Sequence, residues 1–286
     1  MGVKCESPPV LKVQNLGKIY GPGCPNCVGL TGPEHGRNVC PKCLSIVAFY
    51  GISLELFEAE VLGIVGESGS GKSSLLKCLH LDEEPWCGSV YHKEVGNGER
   101  DLFACSAQQK RAIRNKLFGV VYQSPEVGLR MGLTAGANIA EPLLLTNKNK
   151  PNFRAVRSRI LHLFHQVELP IGRVDDPIRS FSGGMQQRVQ IAKALACNPS
   201  VLLLDEPTSG LDVSVQASVL DLIRRIQWDT GLPIVIVSHD LGVIRLLTQR
   251  TLVMRLGRVV EAGLTDQILS DPQHPYTQQL VASALT

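Results

Sequence analysis

Apolar runs of four or five residues recur along this chain, each closed by Gly, Pro, Asp or another polar residue, and longer stretches with helical spacing separate them. The runs Val61–Val65, Phe118–Tyr122, Val201–Leu204, Ile234–Val237 and Thr251–Met254 are predicted strands. Helices are predicted after Gly71, Gly184, Val213 and Leu241, each behind a loop of turn or capping residues. Strand, helix, strand in that order predicts an α/β domain whose parallel strands are covered by helices.

Two stretches break the alternation. Between about Ser124 and Ser180 the strand pattern vanishes and Arg154–Val167 reads as an amphipathic helix, so residues 124–180 are expected to form a helical subdomain inserted into the sheet domain. The tail from Thr265 to Thr286 contains Asp271-Pro272 and His274-Pro275, which predict turns before a short final helix.

Composition narrows the class. With 286 residues, 44% of them hydrophobic, the chain can bury a large core, which excludes disorder and coiled coil. The net charge of +3 is spread along the chain, so nucleic acid is not an expected partner. The first residues lack a leader-like apolar core and no run approaches the roughly 18 apolar residues of a membrane span, which predicts a cytoplasmic location.

Gly66-Glu67-Ser68-Gly69-Ser70-Gly71-Lys72-Ser73 fits G-x-x-x-x-G-K-[ST], directly after a predicted strand and before a helical run. Glycines let backbone N–H groups curl around phosphate, Lys72 reaches the β- and γ-phosphates, and Ser73 offers a hydroxyl to Mg²⁺. Ser74 follows on the same turn. The strand Val201–Leu204 runs into Asp205-Glu206. Alternation along the strand separates their roles, Asp205 toward Mg²⁺ and Glu206 toward the attacking water as general base. Some twenty residues upstream, Ser182-Gly183-Gly184 opens a helix expected to reach about Cys197, another arrangement suited to an anion.

In this order the motifs resemble those of ABC-type ATPases, over nearly the whole chain, and the resemblance implies a single ATPase domain spanning residues 1–286. Gln123 resembles the Q-loop glutamine that senses Mg²⁺ and the attacking water. Ser209-Gly210-Leu211-Asp212 resembles the D-loop, and His239 the switch histidine that contacts the γ-phosphate. Tyr20 resembles the aromatic that stacks on adenine; Phe49 or Tyr50 is the alternative, because the cysteine segment lengthens the path from Tyr20 to Lys72. The implied reaction is ATP and water to ADP and phosphate, with Mg²⁺ held by Ser73, Gln123 and Asp205. Two ATP molecules would be sandwiched head to tail, so that Ser182, Gly183, Gly184 and Asp212 serve the nucleotide of a second ABC subunit, identical or paralogous.

Asp212-Val213-Ser214-Val215-Gln216-Ala217 and His274-Pro275-Tyr276-Thr277 resemble the oligopeptide, dipeptide and nickel import branch. Gly128-Leu129-Arg130, Thr134-Ala135-Gly136, Asn138-Ile139, Ser182 to Arg188 and Leu264-Thr265-Asp266 are closer to the ATP-binding subunits of carbon–phosphorus lyase complexes within it. That resemblance implies a soluble lyase-like core as partner; the alternative is a peptide or nickel importer with membrane permeases, which would bring the chain to the membrane. A third reading makes it a metal-sensing ATPase.

Four of the nine cysteines form two knuckles, Cys24-Pro25-Asn26-Cys27 and Cys40-Pro41-Lys42-Cys43. Four thiolates at this spacing predict a closed tetrahedral site, zinc-ribbon-like, over residues 24–43. Zinc is the expected metal; iron, or thiols without metal, are the alternatives. His35 is not needed as a ligand. Cys5, Cys78, Cys87, Cys105 and Cys197 show no ligand spacing, and Cys78 and Cys197 are expected to be small buried side chains within helices.

Overall fold

The computed structural model describes residues 8–146 and 152–284; Cys5 and the last two residues of the tail lie outside them. Two units divide the chain, one through Ser106 and again from Val235, the other Ala107–Ile234.

The first unit opens with β1 (Leu11–Tyr20), β2 (Ile46–Leu56), β3 (Val61–Val65), α1 (Lys72–Leu79) and β4 (Cys87–His92). β1 pairs antiparallel with both β2 and β4, in the order β2-β1-β4. This antiparallel sheet has no counterpart in the parallel arrangement the sequence predicts. Its strands escape a period-two search because β1 carries register shifts after Val13, Leu16 and Lys18, which scramble the alternation of buried and exposed positions. Tyr20 pairs with Ile46, so the cysteine segment is the long connection of the β1–β2 hairpin.

The second unit holds α2 (Ala107–Leu117), β5 (Phe118–Val121), α3 (Pro125–Gly128), α4 (Ala135–Thr146), α5 (Phe153–Gln166), α6 (Gly183–Ala194), β6 (Val201–Asp205) and α7 (Val213–Thr230). β5 and β6 are parallel neighbours. Among the described residues from 124 to 180 there is no strand, only α3, α4, α5 and short 3₁₀ turns. α5 starts where the Asn152 side chain accepts the Arg154 N–H, and it buries Ile160, Leu163 and Phe164, each worth roughly 1.5–3 kcal/mol. α6 ends at Ala194, three residues short of the expected Cys197, which is half-buried beyond the helix beside Thr146. α7 stops at Gly231, whose φ of +63° suits the left-handed cap.

The chain returns to the first unit within β7 (Ile234–Ser238), followed by α8 (Leu241–Leu247), β8 (Arg250–Arg255), β9 (Arg258–Leu264), α9 (Thr265–Ser270) and α10 (Pro275–Ala284). β7, β3, β8 and β9 lie side by side in that order. β3 and β7 are buried at every position, which is why both stand out as unbroken apolar runs. β3 and β8 are parallel, whereas β9 turns back antiparallel to β8 through Leu256-Gly257 and forms the edge. Its half-exposed residues hide it from a search for apolar runs.

Candidate functional site

β3 ends at Val65 and α1 begins at Lys72, so the loop between them delivers its backbone N–H groups to the start of a helix. Two glycines make this path sterically possible. A Cβ on Gly66 would lie 2.1 Å from the Met254 carbonyl oxygen of β8, and one on Gly71, at φ +100°, would lie 2.1 Å from that of Ala48 in β2. Lys72 is buried, and its Nζ donates to the carbonyls of Gly66 at 2.7 Å and Glu67 at 2.9 Å. Ser68 and Gly69 are exposed at the loop's tip, Ser70 is buried beneath, and Ser73 and Ser74 are half-buried on the first turn of α1. Amide donors, an ammonium and hydroxyls converging at a helix start are the donor set that nucleotide phosphates with Mg²⁺ require.

At the edge of this loop, the Tyr20 hydroxyl donates to Glu83 at 2.6 Å and lies 3.2 Å from the Ser74 hydroxyl. Burial, reinforced by the Glu83 carboxylate, pushes the phenol up to about 12, so it stays a neutral donor. Of the alternative aromatics, Phe49 is 0% exposed and offers no face to a ligand, while Tyr50 lies beneath the Arg258 guanidinium, 5.2 Å from its ring centre. His239 is exposed immediately after β7, and Asp240 beside it caps α8 by accepting the Gly242 N–H.

One contact to the loop has no local signature in the sequence. The Glu67 N–H donates to the Tyr276 hydroxyl at 3.1 Å, which brings α10 against the phosphate loop. Glu261 positions that helix by accepting the N–H groups of Gln273 and His274. His274-Pro275-Tyr276 thus has a local structural purpose.

In the second unit, Asp205 ends β6 and Glu206 leaves it at φ +47°, a left-handed conformation that costs on the order of 1 kcal/mol in a non-glycine residue. That turn, rather than strand alternation, separates the two carboxylates. Gln123, just beyond β5, donates from Nε2 to Glu206 Oε2 and to the Ser209 hydroxyl, each at 3.2 Å. Gln123 is thereby brought into one cluster with Glu206 and Ser209, 83 and 86 positions further along the chain, with Gln123 Oε1 as the oxygen the amide can offer to a cation. The Ser182 hydroxyl caps α6 by accepting the Met185 N–H. Gly184 packs against α7, where a Cβ would lie 2.3 Å from Val215 Cγ1, and Asp212 stands at the N-terminal cap position of that helix.

The sequence profile of the ABC transporter family matches residues 49–209. This chain belongs to that family. It is an ABC-type ATPase, hydrolysing ATP to ADP and phosphate. It is 44% identical to the Escherichia coli (strain K12) ATP-binding protein PhnK, assigned to phosphonates utilization, over 97% of this chain and 98% of that one. It is 39% identical to the dipeptide transport ATP-binding protein DppF of Haemophilus influenzae, over 86% of this chain and 73% of the relative. Its fold resembles the ATP-binding cassette MJ0796 in a dimeric post-hydrolysis state bound to ADP and Pi, with a TM-score of 0.73 and 28% identity, covering 89% of this chain and 98% of that one. No helix among the described residues of this ABC ATPase is long and apolar enough to cross a membrane.

The ABC ATPase also carries the cysteine lobe. Cys24 Sγ lies 3.5 Å from Cys27 Sγ and 3.7 Å from Cys40 Sγ, Cys27 Sγ lies 3.3 Å from Cys43 Sγ, and all four sulfurs fall within 4.8 Å of one another. A tetrahedron with metal–sulfur bonds of about 2.3 Å has sulfur–sulfur edges of about 3.8 Å, so the donor set fits a thiolate-bound zinc or iron ion. Burial pushes the Cys27 thiol up to about 12, whereas the Ser45 hydroxyl and backbone N–H bring Cys43 down to about 6. Cys27 and Cys40 pack with Ile19 and Val47 in a core too small to hold the lobe alone. His35 is exposed, Cys78 is buried in α1, and Cys87 and Cys105 stand away from the sulfur cluster.

Proposed function

We propose that this ATPase works as one half of a nucleotide-sandwich dimer that drives a soluble assembly acting on phosphonates, of the carbon–phosphorus lyase kind. The observation that carries this reading is the end-to-end match to PhnK, 98% of whose length is covered, whereas the similar peptide-import subunits are covered only over 67–76% of theirs. Their similarity keeps an importer subunit as the second reading.

Tyr20 stacks on adenine. The N–H groups of Gly66, Ser68, Gly69, Ser70 and Gly71, with the Lys72 ammonium, hold the phosphates, and Ser74 steadies Tyr20. Mg²⁺, when bound, neutralises phosphate charge, with Ser73, Asp205 and Gln123 to hold it. Glu206 takes a proton from water as the water oxygen attacks the γ-phosphorus, and the bond to the bridging oxygen breaks to release ADP. His239 contacts the γ-phosphate. Ser182, Gly183, Gly184 and Asp212 serve the nucleotide bound by the second chain. Cys24, Cys27, Cys40 and Cys43 hold a structural zinc that folds the lobe.

A deletion strain of the native host tests the reading. The expected outcome is loss of growth on a phosphonate as sole phosphorus source, with growth on phosphate and uptake of dipeptides unchanged. Loss of dipeptide uptake with normal growth on phosphonate would support the importer instead.

A further inference from the structure

The segment after Gln123 is held in the second unit by buried amides. Gln190 projects from α6, the helix that begins at Ser182-Gly183-Gly184, and is 1% exposed. Its Oε1 accepts the Tyr122 N–H at 2.6 Å and its Nε2 donates to the Tyr122 carbonyl at 3.1 Å. One side chain therefore binds both backbone groups of the residue before Gln123. Nε2 also donates to Gln187 Oε1, so the amide has little freedom to turn.

Gly128 makes room for this amide. A Cβ there would lie 2.2 Å from Gln190 Oε1 and 2.8 Å from its Cδ. One turn along α6, Lys193 donates to the Gly128 carbonyl at 2.9 Å and pairs with Glu141. The far end repeats the first: Asn138, fully buried, accepts the Arg130 N–H at 2.7 Å and donates to the Arg130 carbonyl at 3.1 Å. Residues 122–130 are thus fixed at both ends and at Gly128. The bonds from Gln123 to Glu206 and Ser209, already 3.2 Å long, would be lost on a displacement of about 0.5 Å.

We propose that Gln190 is a positioning residue for ATP hydrolysis: its two bonds to Tyr122 hold Gln123 in register with Glu206 and tie that pair to the helix bearing the Ser-Gly-Gly motif. This rests on the roles given above to Gln123 and Glu206. Two variants disturb the clamp from opposite sides. Gln190→Met keeps the length and removes both bonds, while Gly128→Ala leaves the amide intact and drives a Cβ into it.

Each variant is expected to lower kcat about tenfold while changing the Kd for ATP less than about twofold, the pattern of an interaction that serves the transition state. In a Gln123→Ala background neither should lower kcat further, because residues acting through one another are not additive. Ile160→Val in α5, which loosens the same unit, should lower the melting temperature and leave kcat unchanged. An unchanged kcat in folded Gln190→Met and Gly128→Ala, or a further tenfold loss in the Gln123→Ala background, overturns the proposal. Full turnover in Gln123→Ala would instead sink the role of Gln123 itself, and the positioning role with it. If Gln190→Met does not fold, Gly128→Ala carries the test alone.

Discussion

The hydroxyl of Tyr276, near the end of the chain, accepts the backbone N–H of Glu67 in the phosphate loop at 3.1 Å. Tyr276 is buried, and the Arg255 guanidinium stands 4.8 Å from its ring centre. The tail therefore shapes the loop proposed to receive phosphate. A neutral hydrogen bond contributes about 0.5–1.5 kcal/mol, so Tyr276→Phe is expected to weaken ATP binding between about two- and tenfold. Titration calorimetry with ATP checks this, and an unchanged Kd would mean the contact is dispensable to the loop.

The cysteine lobe predicts a stoichiometry. Elemental analysis of the purified chain should find one zinc, or one iron, per chain. Cys40→Ser should lose the metal and lower the melting temperature by roughly 5–10 °C, because the lobe's own core is too small to replace the ion's contribution. A metal-free wild type that melts at the same temperature with and without added zinc would rule the centre out.

Acid stability has an identifiable source in His92 on β4. The ring is fully buried and its Nδ1 accepts the Glu94 N–H. Burial pushes its pKa down to about 4. A depressed histidine binds fewer protons folded than unfolded, so its contribution is complete above about pH 6.5 and is lost as the pH falls toward 4. The loss is on the order of 3 kcal/mol. Melting temperature measured from pH 7 to pH 4.5 should fall more steeply in the wild type than in His92→Gln; parallel curves would refute the assignment.

Glu206→Gln preserves the shape of the cluster with Gln123 and Ser209 but cannot accept a proton. Its turnover should fall about 10²–10⁴-fold while the Kd for ATP stays within about twofold, and ATP should leave a closed dimer detectable by size exclusion with light scattering. Normal turnover would remove Glu206 as general base.

The placement of the candidate residues was legible in the sequence because they follow the ends of apolar strands. β3, β6 and β7 are unbroken hydrophobic runs, and Lys72, Asp205 and His239 each stand close behind one of them. The antiparallel β1, β2 and β4 were not legible, since register shifts and half-exposed positions erase their periodicity. The contact of Tyr276 with Glu67 spans 209 positions and leaves no local signal. Gly128 and Asn138 could be read only as subfamily detail, because the amide that fills the space beside Gly128 comes from Gln190 on another helix. The convergence of Cys24, Cys27, Cys40 and Cys43 was legible, since the spacing of the two knuckles is written along the chain itself.

The most direct test of the account is affinity capture of tagged Glu206→Gln from the native host, with ATP present to hold the dimer closed, followed by mass spectrometry of the soluble and membrane fractions. Recovery of phosphonate-cleaving subunits with the tagged chain in the soluble fraction is the predicted result. Recovery of integral-membrane permeases without them would contradict it.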